Sequence, residues 1–153
     1  FALGVWDRRE RCLWLARDRI GKKPLHYAWA GESFLFASEL KARWAHPRFD
    51  PGISQPALAG FLQLGYGLGE QTIFGAARRL PGGHLLRLDA AAAARRETPA
   101  SRPYWSLREA ALAGLDAQAS GRTASVEELE ALLRDAVARR MVADVPLGAF
   151  LSG

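Results

Sequence analysis

Apolar and polar positions alternate in short blocks over the first forty residues. Residues 2–7 (Ala-Leu-Gly-Val-Trp-Asp) and 12–17 (Cys-Leu-Trp-Leu-Ala-Arg) are apolar runs separated by Arg8-Arg9-Glu10-Arg11. Two such runs around a polar turn predict a β-hairpin. Residues 25–30 and 33–38 repeat the pattern around Ala30-Gly31-Glu32 and predict a second one. Four strands in so short a stretch suggest one antiparallel meander. The period then lengthens. A short helix is expected from Ser38 over Glu39–Ala45, stopped by Pro47. Another is expected over residues 54–64, with Leu58, Phe61 and Leu62 on one side and Ser54 as its N-cap.

Further along, Gly65-Tyr66-Gly67-Leu68-Gly69 reads as a loop, and Gly82-Gly83 as a turn into a strand over residues 84–88. The alanine run and the prolines of residues 89–103 read as a surface loop or the approach to a linker. Ser125 and Glu128 have capping-box spacing. Val126, Leu129, Leu132, Leu133, Val137 and Met141 then recur at helical intervals as one apolar stripe, ended by Asp144 and Pro146. The run Leu147-Gly148-Ala149-Phe150-Leu151 predicts a buried strand. A helix followed by an apolar strand marks entry to an α/β domain, so a boundary is expected near residues 103–125.

Composition refines this picture without overturning it. The chain has 153 residues, 49% hydrophobic and 24% charged, which suits one average domain or parts of two. The first residue is Phe1, a strand-like segment begins at once, and the chain stops at Leu151-Ser152-Gly153 after an apolar run. Both ends therefore read as cut, and a fragment is expected. The net charge of +5 comes from 18 Arg and 3 Lys, spread along the chain with no long like-charge run. That is a solvated basic surface, and no nucleic-acid partner is expected from it. No apolar run is long enough to span a membrane, and no signal peptide is visible. The single cysteine, Cys12, excludes an intrachain disulfide and is simplest to place in a reducing cytoplasm.

Candidate chemistry is sparse. His26, His46 and His84 lie in separate predicted elements without metal-ligand spacing, so structural or surface roles are expected. Cys12 lies on an apolar run and reads as an inert buried thiol. Gly65-x-Gly67 lacks the third glycine of a dinucleotide fingerprint, because Glu70 stands there, and it follows a helix. The apolar run into Ser152-Gly153 could present backbone amides to phosphate oxygens, although an ordinary strand-end turn explains two residues equally well.

The segments taken together resemble the glutamine-hydrolysing asparagine synthetases, of the class II amidotransferase type with an N-terminal nucleophile. Phe1–Asp7 is similar to the family's F-A-F-A-L-W-D strand, and residues 15–25 (Leu-Ala-Arg-Asp-Arg-Ile-Gly-Lys-Lys-Pro-Leu) to its A-R-D-R-x-G-x-K-P-L segment. Phe36–Ala42 resembles F-A-S-E-x-K-A; Thr72-Ile73-Phe74 resembles T-I-F, Leu80–His84 resembles L-P-P-G-H, and Tyr104-Trp105 resembles the Y-W before the linker. Residues 141–153 resemble M-x-A-D-V-P-L-G-x-x-L-S-G. The ordered set is far more specific than any one segment.

The resemblance implies an α+β portion, an incomplete αββα N-terminal-nucleophile glutaminase sandwich, over residues 1–105. It implies a linker over 106–124 and, over 125–153, the start of an α/β ATP pyrophosphatase-type synthetase domain. It implies an enzyme that hydrolyses glutamine and passes the ammonia to β-aspartyl-AMP, using ATP and Mg²⁺. Its partners are then small molecules (glutamine, aspartate and ATP), with a homodimer as the assembly. Carried over residue by residue, it assigns Leu151, Ser152 and Gly153 to the start of the nucleotide loop. No catalytic residue and no metal ligand carries over: the nucleophilic cysteine falls upstream of Phe1, and Cys12 does not correspond to it. Arg17, Asp18, Gly21 and Pro24 are expected to shape the glutaminase sheet and its turn. Gly82 stands where the family often has a second proline, and Ala76 where it often has glycine. These departures leave room for a relative that amidates or cyclises another carboxylate, as β-lactam synthetase-like enzymes do. The isolated chain, whatever its parent does, reads as a non-catalytic scaffold.

Overall fold

Both expected hairpins form, and each joins a different sheet. The computed structural model describes residues 1–121 and 123–150, the side chains of residues 42–44 excepted. Strands β1 (Ala2–Asp7) and β2 (Cys12–Arg17) pair antiparallel with Asp7 opposite Cys12, so the polar residues 8–11 make the turn. Strands β3 (His26–Ala30) and β4 (Ser33–Ala37) pair with Ala30 opposite Ser33 around Gly31-Glu32. The meander expectation is corrected here. The far edge of β2 is taken by β6 (His84–Asp89), and that of β3 by β5 (Ala77–Arg79). One sheet therefore runs β1-β2-β6-β7, with β7 at Ser101–Pro103, and the other β4-β3-β5. Local alternation reports which residues share a face, but not which distant strand completes the ladder.

The apolar faces of the two sheets meet. Leu15 of β2 and Leu86 and Leu88 of β6 pack with Leu25, Tyr27 of β3 and Leu80 in one buried cluster. Burying each large side chain of this kind contributes roughly 1.5–3 kcal/mol. A second cluster forms around Ala28, Ala30, Phe49, Phe74 and Ala77, with Phe49 and Phe74 edge to face at 5.7 Å. Thr72 supports this second cluster. Its buried hydroxyl lies 2.9 Å from the carbonyl of Phe74 and 3.2 Å from that of Ala77, and it accepts from the Phe74 amide. The Thr-Ile-Phe motif thus supplies an anchored turn rather than reacting groups.

The short helix expected from Ser38 over Glu39–Ala45 is a 3-10 helix over Leu40–Ala45. Helix α1 (Gln55–Leu64) starts where expected, with Ser54 accepting from the Ala57 amide, and closes at Gly65. Its apolar positions are not sealed: Leu62 is 75% exposed. Residues 89–103 are more ordered than a loop. Asp89 caps a short helix, α2 (Ala90–Ala94), whose Ala92 and Ala93 pack on the core, and β7 (Ser101–Pro103) completes the first sheet beside β6. Alanine has the best helix propensity, and Asp89 accepts from the Ala92 amide, so the run folds back onto the sheet.

The chain divides into two units, Phe1–Ala110 and Ala111–Gly153. Helix α3 (Leu107–Ala119) begins in the first. In the second, α4 (Val126–Ala138) carries the complete capping box, Ser125 with Glu128. Its apolar stripe is exposed, with Val126, Leu129, Leu133 and Val137 lining an open groove along the helix. The expected strand over residues 147–151 is corrected. Residues 147–150 have no regular structure, and Leu147 and Phe150 are exposed. A strand is held by its neighbours' hydrogen bonds, and no described residue offers this segment a partner strand. Leu151 lies outside the described residues.

Candidate functional site

Three of the motif segments converge on one buried guanidinium. Arg17 ends β2 at 8% exposure, and its planar fork donates in three directions. Nε donates to the Lys23 carbonyl at 2.7 Å, one terminal nitrogen to Leu80 at 2.6 Å, and the other to Gly21 at 2.5 Å. Only a guanidinium satisfies three carbonyls spread around one plane. Burial pulls its pKa below the usual arginine value, Arg79 pulls the same way, and Asp18 opposes them. The group stays cationic, because arginine is effectively always protonated. Arg17 thus ties the turn after β2 to the segment entering β6, across both sheets.

Asp18 organises the same turn from its other side. Its carboxylate accepts from the Lys22 and Lys23 amides at 3.0 and 3.2 Å, and from the nitrogen of Phe1 at 3.2 Å. Its backbone carbonyl accepts from Gly21 and Gly83. The Lys22 amide is the main cause that holds the carboxyl well below the usual carboxylate range. Desolvation opposes it, and the Lys23 amide and the Phe1 nitrogen add to it. A carboxylate with a depressed folded pKa contributes stability above its unfolded pKa of about 3.9 and loses it as pH falls. Asp18→Asn is therefore expected to flatten the acid limb of a stability–pH profile below about pH 4 while lowering stability near neutrality. An unchanged acid limb in denaturant titrations would show that this carboxylate is not linked to folding.

The third segment closes the arrangement. The Tyr104 hydroxyl donates to the Arg17 carbonyl at 2.8 Å, and the Tyr104 and Trp105 amides both donate to Gly83. Gly82 and Gly83 lie so close to the Arg19–Gly21 and Trp105 backbones that neither position has room for a side chain. Sequence reasoning grouped Arg17, Asp18, Gly21 and Pro24 as shaping residues, but missed the Leu80 carbonyl and Tyr104 as their partners. Their only signal was that all three segments belonged to the same ordered motif set. The arrangement holds backbone in place: Arg17 is buried and gives three of its five N–H donors to carbonyls.

The other sequence candidates fall elsewhere. Leu151, Ser152 and Gly153, read as nucleotide-binding, lie outside the described residues. Cys12 is fully buried in β2, its thiol directed at the Leu13 carbonyl. His26 is buried in β3, His46 follows the 3-10 helix, and His84 opens β6 with Nδ1 2.8 Å from the Gly82 carbonyl. The structure does not bring the three histidines together, and no described group of His, Cys, Asp or Glu residues could hold a metal ion.

Two antiparallel sheets are thus tied together through the turns that carry the sequence motifs. The family model for the glutamine amidotransferase domain matches residues 1–105, and the chain belongs to that family. The model for asparagine synthase matches residues 128–153. Over its full length the chain is 32% identical to asparagine synthetase (glutamine-hydrolyzing) 3 of Bacillus subtilis, of which it covers 23%. It is 35% identical to a putative glutamine-hydrolyzing asparagine synthetase of Mycobacterium tuberculosis, again covering 23% of that protein. It is also 30% identical to the amidase chyE of Penicillium rubens, covering 21% of it. The chain thus spans less than a quarter of each of these relatives. No helix among the described residues is long and apolar enough to cross a membrane.

Proposed function

We propose that this chain is the middle of a cytoplasmic, glutamine-hydrolysing asparagine synthetase. One observation carries the reading: a single chain matches the glutamine amidotransferase domain over residues 1–105 and, in that order, asparagine synthase over 128–153. Residues 1–105 are then the later part of a glutaminase domain of αββα type, 106–124 a linker, and 125–153 the start of the synthetase domain. The two packed antiparallel sheets support the sandwich. The parent protein hydrolyses glutamine, and the ammonia converts an ATP-activated aspartate to asparagine. It works as a homodimer.

ATP supplies the activation; the Leu151 backbone would lie beside its adenosine, and the Ser152-Gly153 turn would present backbone amides to its phosphates. The described residues provide no carboxylate set that fits Mg²⁺. Within this chain the contribution to glutamine chemistry is architectural. Arg17, Asp18, Tyr104 and the Gly82-Gly83 turn fix the strand ends of the sandwich.

The full-length protein, given glutamine, aspartate and ATP, is expected to form asparagine and glutamate in equal amounts. Glutamine hydrolysis and ATP turnover without asparagine would overturn the acceptor assignment. They would favour a second reading, an amidotransferase acting on another carboxylate, which the similarity to the amidase chyE supports. The isolated 153 residues are expected to hydrolyse no glutamine. Cys12 is sealed inside β2, and a thiol needs access and an activating base to act as a nucleophile. Glutamate release by the purified chain, abolished in Cys12→Ala, would reverse that assignment.

A further inference from the structure

We propose that the outer side of the Arg17 turn carries a binding site for a free α-amino acid, separate from the groups assigned to chemistry above. A cleft of about 420 Å³ opens there, wholly within the first unit. Its lining includes Arg19 and Ile20 of the turn, His84 at the start of β6, Trp105, and Glu109 in the first turn of α3. The walls are fixed by backbone hydrogen bonds and one tyrosine hydroxyl. Gly83 donates to Asp18 and accepts from Tyr104 and Trp105, and the Tyr104 hydroxyl holds the Arg17 carbonyl.

The lining is bipolar. The Arg19 guanidinium lies 5.9 Å from the centre of the Trp105 ring, within cation–π range, and Arg19 lines the cleft. Neither Arg19 nor Glu109 forms an ion pair or a side-chain hydrogen bond with another described residue. A simple anion would meet Arg19 favourably but also the Glu109 carboxylate; a simple cation would meet the reverse. A zwitterion satisfies both. Its carboxylate takes the guanidinium, which pairs with carboxylates in planar, two-pronged geometry, and its ammonium takes Glu109. The His84 ring adds to the ammonium side: with Nδ1–H donated to the Gly82 carbonyl, Nε2 is left as an acceptor. Ile20 and Trp105 supply apolar wall for a small side chain. A free amino acid has both charges on one carbon and fits a cleft of this size.

The inference stands on the cleft and not on the synthetase reading, and its test separates the two. Full-length protein carrying fluorinated tryptophan would be titrated with glycine, glutamine, aspartate and asparagine. The Trp105 resonance would be assigned through Trp105→Phe, with acetate and methylammonium as half-ligands. A saturable shift of the Trp105 signal with at least one amino acid, small or absent with either half-ligand, is expected. Arg19→Ala and Glu109→Gln should each weaken it at least tenfold, and Arg19→Lys only in part. No shift, an equal shift with acetate alone, or an undiminished shift in both variants would overturn the proposal. Loss of asparagine synthesis in the assay above would leave this resonance test untouched.

Discussion

Arg17→Met is expected to cost on the order of 3–5 kcal/mol of folding stability, because it leaves three carbonyls facing an apolar stem. The Leu80 carbonyl is bonded inside the protein, and those of Lys23 and Gly21 are partly buried. A buried acceptor left unmade costs roughly 1–3 kcal/mol, and the two partly wetted ones recover something from water. Domains of this size hold about 5–15 kcal/mol in all, so the loss brings the glutaminase transition close to its limit. Arg17→Lys should recover little. An ammonium is a point donor and cannot reach three carbonyls around a plane. The measurement is the thermal midpoint of that transition in the intact protein, with a fall of about 10 °C or more expected for methionine. A shift of only a degree or two would show that water replaces the guanidinium without cost. The tie between the two sheets would then have to reside in the apolar cluster alone.

What the sequence made legible follows the range of each interaction. Both hairpins could be placed because their partners are adjacent: Asp7 meets Cys12 and Ala30 meets Ser33 across short polar turns. The capping box of α4 was legible for the same reason, since Ser125 and Glu128 are three residues apart. The pairing of Leu15 with Leu86 was not, because it joins positions far apart in sequence and nothing local encodes it. The alanine run of α2 misled in the opposite direction. Its composition is that of a linker, yet Asp89 caps it and Ala92 and Ala93 find the core. Residues 147–150 carry the composition of a buried strand but have no neighbouring strand among the described residues, and composition alone does not hold a strand. At the candidate site, motif order identified the right segments. It could not show that they face one another, because that juxtaposition rests on hydrogen bonds from residue 17 to residues 80 and 104.

Gly83→Ala is expected to be nearly as damaging as loss of Arg17, at about 3 kcal/mol, for two separable reasons. Gly83 has φ +69°, where an L side chain costs roughly 1–2 kcal/mol. Its added methyl would also lie 2.4 Å from the Trp105 carbonyl oxygen, a backbone atom that cannot rotate away. Relief means moving Trp105, which breaks the bonds from the Tyr104 and Trp105 amides to the Gly83 carbonyl. Gly65→Ala isolates the first cause. Its φ is +77° and nothing lies within 4 Å of the added carbon, so about 1 kcal/mol is expected there. Gly82 isolates the second. Its φ is not positive, but an added carbon would sit 2.8 Å from both the Arg19 carbonyl and the Gly21 amide nitrogen. That contact gives a physical reason for glycine where the resembling family often has proline: here the turn after β2 occupies the space a Cβ would need. Gly82→Pro should therefore destabilise this protein, even though it restores the commoner family residue. Chemical denaturation of the three variants should rank Gly83→Ala above Gly82→Pro above Gly65→Ala. If Gly65→Ala matched Gly83→Ala, the cost would lie in backbone conformation alone, and the close approach to Trp105 would carry no energetic weight.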